Sequence, residues 1–305
     1  MPYIMKATYD KVRAIIFNWP CKSKLNSEQS LVDLQKEFAK LCMSASMTVP
    51  VFVLVPKEDY ERANFIIPHH VNLIPFDKDL KSKNINDFAP LIVRNSLTQE
   101  LCLLLNDSQQ DKDYGSQLLS TFLSNQYSAK IQNIDFNLSN DDFILDNKGL
   151  FIGLKHKILN NNSHLTQDAL EGQIKQYLGV SKFIWIDMPK IINLRSICDF
   201  IADNCILLLH KSHSIKDIVN LLETSCNVNN EPIEIVDIVN EIFNENLSFL
   251  QLNENVLINL KGGIEDNETL MVLQQKFAEK NIIGVDSIFL DDEKNNLQEW
   301  GLKIH

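Results

Sequence analysis

Short runs of Val, Ile, Leu and Phe recur along this sequence, several of them in pairs, with amphipathic stretches between the pairs. That pattern constrains the fold more than any other feature of the chain. A strand-sized apolar run must be covered on both faces, and the helices between runs supply the covering layer. Strands are expected at 14–17, 51–55, 91–93, 101–105, 143–145, 150–154, 183–186, 205–209, 256–260 and 283–285, where β-branched and aromatic residues sit between polar or Gly/Pro turns. Helices are expected at 28–41, 115–125, 166–178, 233–243 and 268–279. The third shows its mechanics most openly. Thr166 can cap it, Asp168 and Glu171 lie in its first turn, and Leu170, Ile174, Tyr177 and Leu178 make one apolar stripe before Gly179 ends it. No composition break interrupts residues 1–305, so one domain of repeated αβ units is expected.

Charge and cysteine usage remove several function classes. The 29 basic residues face 40 acidic ones, a net charge of −11, with no cluster of Lys and Arg to track a phosphate backbone. Nucleic acid is therefore not an expected partner. No apolar run approaches a bilayer span, and the opening MPYIMKATYDKVR has neither the apolar region nor the cleavage site of a secretory signal. A cytoplasmic protein without membrane contact is expected. Cys21, Cys42, Cys102, Cys198, Cys205 and Cys226 are scattered without Cys-x-x-Cys spacing, which fits reduced thiols rather than a disulfide framework or a zinc site.

Familiar chemical motifs are missing as well. There is no Gly-x-Gly-x-x-Gly, no phosphate-binding loop ending in Gly-Lys-Ser/Thr and no Gly-x-Ser-x-Gly. The pairs His69-His70 and His210/His213 lack carboxylate or thiol companions at ligand spacing, so no metal and no cofactor are expected. The acidic runs Asp141-Asp142 and Asp291-Asp292-Glu293 are expected to be solvated turns.

A series of strings, taken in order, resembles the agmatine deiminase / bacterial-type peptidyl-arginine deiminase family. Met1-Pro2 and then Ile15-Ile16-Phe17-Asn18-Trp19-Pro20 resemble the family's opening, an apolar strand ending in Trp-Pro. Asn86-Asp87-Phe88-Ala89-Pro90-Leu91-Ile92-Val93 is similar to its W-x-R-D-x-G-P-I-x-V segment. The longest match starts at Asp146-Asn147-Lys148-Gly149, continues to Leu159-Asn160, and resumes from Thr166 through Gly179-Val180 to Ile184-Trp185. Phe249 to Leu260 and Ile282 to Asp286 resemble the last strand pairs, and Trp300 to His305 resembles the start of G-G-G-G-I-H-C. The resemblance implies an α/β pentein fold, a five-bladed β/α propeller of ββαβ units with pseudo-fivefold symmetry.

The resemblance also implies chemistry. A Cys thiolate attacks the guanidinium carbon, a His moves protons, and carboxylates pin the cation. This sequence departs from that scheme at nearly every position. The nucleophilic Cys would follow His305, where the sequence stops. The family's G-H-x-D falls on Ile192-Asn193-Leu194-Arg195, so Asn193 stands at the acid/base position and Arg195 at a guanidinium-binding Asp. Its E-G-G falls on Ser139-Asn140-Asp141. Asp87, Asp141 and Trp19 remain as residual ligand-binding candidates. The expectation is a pseudoenzyme: a scaffold, a homodimer or heteromer with an active paralogue, or a binder of a small guanidinium or amine. The alternatives are an active agmatine- or arginine-type deiminase releasing ammonia, as in putrescine biosynthesis, and an unrelated αβ-repeat interaction protein.

Overall fold

The paired runs fold as antiparallel hairpins, and after each hairpin a helix carries the chain back into the same sheet. The computed structural model describes residues 3–21, 28–76, 84–106, 114–191, 193–209, 215–238, 247–277, 279–288, 290 and 297–305. Its contacts divide the chain into two compact units. The first comprises Met1–Thr8, Asn86–Leu208 and Ser212–Val236, and the second Tyr9–Ile85, Leu209–Lys211 and Asp237–His305.

The first unit holds three sheets. One has the order β1 (Tyr3–Met5), β5 (Leu91–Asn95), β6 (Leu101–Asn106), β7 (Lys130–Ile134), with helix α4 (Tyr114–Tyr127) between its last two strands. β5 and β6 are antiparallel, β6 and β7 parallel. The next sheet joins β8 (Phe143–Leu145) antiparallel to β9 (Leu150–Leu154), and β9 parallel to β10 (Lys182–Ile186) through helices α5 (Lys155–Asn161) and α6 (Gln167–Leu178). The third has the order β11 (Cys198–Ala202), β12 (Cys205–Leu208), β13 (Glu234–Asp237), with α7 (Ile215–Glu223) before β13.

The second unit repeats the plan. β14 (Phe249–Leu252) is antiparallel to β15 (Asn255–Leu260), which runs parallel to β16 (Asn281–Asp286) after helix α8 (Glu265–Lys276). Its other sheet draws on both ends of the sequence. β17 (Gly301–Ile304) pairs antiparallel with β2 (Ala14–Asn18), β2 runs parallel to β3 (Val51–Pro56), and β3 to β4 (Asn72–Phe76). Helices α1 (Glu28–Ser46) and α2 (Tyr60–Ile66) make those crossovers, and a short α3 (Ile85–Phe88) precedes β5. Five sheets with this repeated ββαβ order are those of the expected α/β pentein fold.

Burial explains which strands the sequence announces. β2, β6 and β9 are buried at every residue, so they read as unbroken apolar runs, the mark of a strand covered on both faces. β7, β4 and β16 lie at sheet edges and are mostly exposed or half-buried, so their sequence signal is weak. Helix α6 is built as expected. Thr166 Oγ1 accepts from the Ala169 amide at 3.3 Å, Leu170, Ile174 and Leu178 are buried, and Gly179 ends the helix at φ +77°. One expectation is overturned. The helix expected at 233–243 is strand β13 over Glu234–Asp237, and residues 239–246 lie outside the described residues. Ile233, Ile235, Val236 and Ile238 are β-branched, and that stiffness favours the pleated strand over a helix turn.

The second unit's core gathers Phe17, Trp19 and Trp300 around Phe38 of α1, with ring centroids 5.9, 5.8 and 5.5 Å from it. In the first unit Phe143, Phe151, Phe183 and Trp185 stack in sequence across the β8–β9–β10 sheet. The Trp185 indole N–H donates to Glu171 Oε1 at 2.8 Å, tying α6 to β10.

Candidate functional site

The residues that the family resemblance singles out in the first unit converge on residues 139–143. The Asp142 amide donates to the Ser139 carbonyl at 3.0 Å, closing a turn just before β8. The expectation of a solvated turn fails here, because Asn140, Asp141 and Asp142 are all buried. Burial is tolerable because each carboxylate has a fixed partner. Asp141 Oδ1 accepts from the Asn86 side-chain amide at 3.0 Å. Asp142 Oδ1 lies 2.6 Å from the Lys157 ammonium. Asn86 and Lys157 lie in stretches that resemble the family, but nothing in the sequence points either of them at the acidic pair; only the fold brings them to it. The other acidic run, Asp291-Asp292-Glu293, lies outside the described residues, as do His210 and His213. Asp87 sits in α3 beside Asn86, and its side chain is outside the described part of the structure.

Asn193 and Arg195 are laced to the same turn. The Leu194 amide donates to the Asp141 carbonyl at 2.9 Å. Asn193 Oδ1 accepts from the Ser196 amide at 3.3 Å, and the Asn193 carbonyl from the Ser196 hydroxyl at 2.9 Å. The side chain is thereby employed as the cap of the turn that leads into β11. Arg195 Nε–H donates to the Phe143 carbonyl at 3.4 Å. A permanently charged guanidinium is thus held against the backbone that follows Asp141.

The remaining candidate, Trp19, belongs to the second unit, as does His305, which the family's Cys would follow. Trp19 is 1% exposed, packs edge-on against Phe38, and its Nε1–H has no hydrogen-bond partner among the described residues. His305 is half-buried and follows β17.

The cysteine environments bear on covalent chemistry, which requires a thiolate. Burial pushes the Cys42 thiol well up, and burial together with the Asp199 charge raises Cys198. Burial and then Glu234 push Cys205 up to about 11. Cys102 is raised by burial, partly offset by a hydrogen bond from Tyr3. Half-buried Cys21 donates to the Trp19 carbonyl, and half-buried Cys226 pairs by a β-bridge with Pro232. Among the described residues, no group of three or more His, Cys, Asp or Glu side chains could hold a metal ion, and no helix is long and apolar enough to cross a membrane.

Residues 4–291 match the family model of the Porphyromonas-type peptidyl-arginine deiminases. A Yersinia pestis protein named as an agmatine deiminase is 28% identical over 200 residues, covering 60% of this chain and 52% of that protein. The chain therefore spans about half the length of the curated relative it matches. The agmatine deiminase of Enterococcus faecalis superposes with a TM-score of 0.82 at 15% identity, covering 99% of this chain and 95% of that one. The agmatine deiminase of C. jejuni gives 0.78 at 16% identity, covering 99% and 96%. At such identities the structural likeness speaks for the fold alone.

Proposed function

The chain belongs to the Porphyromonas-type peptidyl-arginine deiminase family, and within it we propose a member that does not deiminate by itself. The reading of an unrelated αβ-repeat protein falls with that membership. The observation that carries the proposal is the Arg195 contact with the Phe143 carbonyl. Where the family scheme calls for a carboxylate to attract a guanidinium, this chain holds a guanidinium of its own, and like charges repel. Asn193 supports the same reading. Its side-chain oxygen caps a turn, and an amide does not ionise near neutral pH and so cannot serve as general acid or base. The raised thiols of Cys42, Cys102, Cys198 and Cys205 supply no ready nucleophile.

The role is then carried by the scaffold, in a pair with a second copy or with an active paralogue. Asp141 stands as its residual cation-binding residue. The second reading, an active agmatine deiminase, is supported by the match of residues 4–291 to a deiminase family model. Ammonia release from agmatine, arginine and an arginyl peptide decides between them. No release above a protein-free blank is expected, and turnover with any of the three would overturn the non-catalytic reading. The partner question is answered by molar mass in solution, alone and mixed with an active family member.

A further inference from the structure

A pocket of about 260 Å³ opens at the carboxyl ends of β9 and β10. Leu154 and Ile186, the final residues of these parallel neighbours, are register partners and both line it. Met188 and Ile191, from the loop after β10, extend the apolar lining, while Lys157 and Asn160 of α5 contribute polar groups. The space beyond the carboxyl ends of adjacent parallel strands is where open α/β sheets hold ligands. An apolar wall with a few placed polar groups is the usual make-up of a small-molecule site.

Charge narrows the ligand. Residues 154–161 and 186–191 contain Lys155, Lys157 and Lys190 against Asp187, with Asp142 as a second carboxylate beside Lys157, in a chain whose net charge is −11. No Asp or Glu is among the described residues that line the pocket. Lys157 is held in place by an ion pair, its ammonium 2.6 Å from the fully buried Asp142. A preset cation costs a ligand less to engage than a mobile one.

We infer that this pocket binds a small organic carboxylate with a compact apolar body, its carboxylate at Lys157 and its body against Leu154, Ile186 and Met188. Such a ligand is opposite in charge to agmatine. Its site uses none of Asp141, Asn193 or Arg195, so the inference holds or fails independently of the catalytic question.

The test is a titration of the full chain, methyl-labelled at Ile and Met, with hexanoate and phenylacetate, using hexylamine and hexanamide as controls. Saturable shifts at Ile186, Ile191 and Met188 are expected for both carboxylates, with affinities at least tenfold weaker for the amine and the amide. Asn160→Trp, at an exposed position on the rim, fills the pocket and should remove those shifts. Asn161→Trp is the second filling variant should the first fail to fold, with circular dichroism as the check. Equal binding of hexylamine, no saturable shift with either carboxylate, or undiminished binding in a folded filling variant each overturns the inference.

Discussion

The Lys157 ammonium sits 2.6 Å from an Asp142 carboxylate oxygen that has no exposed surface. The pair joins α5 to the turn before β8, and the lysine side chain is itself 38% exposed. Removing the lysine would leave a carboxylate buried without its counter-charge, a larger loss than that of a surface pair. Lys157→Met is expected to destabilise the protein by about 2 kcal/mol, less than a wholly buried pair would lose because the lysine is partly solvated. Adding Asp142→Asn should recover most of that loss. Urea denaturation of the two single variants and the double variant measures the coupling.

Gly179 has φ +77°, and a Cβ there would stand 3.0 Å from the Tyr3 carbonyl oxygen. A left-handed helix end with backbone at that distance leaves no room for a side chain. Gly179→Ala should cost about 1–2 kcal/mol, read as a lowered thermal midpoint. Gly172→Ala, in the same helix and with open space around its Cβ, should be neutral or stabilising.

Asp146 gives a pH signature. Burial raises its pKa above the ordinary 3.8, with the Asp203 charge adding to the rise and backbone donors at Leu150 and Lys148 opposing it. A carboxyl whose folded pKa is raised binds more protons folded than unfolded. Its contribution therefore falls as pH climbs from the ordinary carboxylate value through the folded one. Asp146→Asn keeps an oxygen acceptor for both amides and removes the ionisation. Its stability relative to the parent should improve between about pH 4 and about pH 7, as followed by urea midpoints at the two pH values.

Thiol reactivity should follow burial. Cys42, Cys102, Cys198 and Cys205 are buried and their thiols raised, while Cys21 and Cys226 are half-buried. Alkylation of the native protein at about pH 8 should label Cys21 and Cys226 first, with the other four following on unfolding. Peptide mapping reads the order, and early labelling of Cys198 would contradict the packing of β11.

Much of the fold was legible because its central strands are apolar throughout, as 14–17, 101–105 and 150–154 are. Edge strands such as β7 carry Lys, Gln and Asn among their apolar residues and leave no comparable mark. At 233–243 the spacing of Ile and Val fits both a helix stripe and a half-buried strand, and β-branching decides for the strand. The site was legible only in part. The sequence named Asp141, Asn193 and Arg195, and the fold holds their backbone segments together. The roles of Asn86 and Lys157 were invisible, since each acquires its meaning from a residue distant in sequence or on another element. The apparent solvent exposure of Asp141-Asp142 was misjudged for the same reason, because their partners cannot be read locally.

The pairing of β17 with β2 sets Gly301 opposite Phe17 and Ile304 opposite Ala14, with Gly301 so close to the Phe17 ring that a Cβ would lie 2.7 Å from it. During synthesis, β2 leaves the ribosome long before this neighbour exists. The nascent chain must carry five residues destined for burial on a strand with one open edge until residues 301–304 follow. Closure across that sequence distance is slow, and the waiting edge invites pairing with other chains. Chaperone protection throughout the interval between the two strands is what this connectivity calls for.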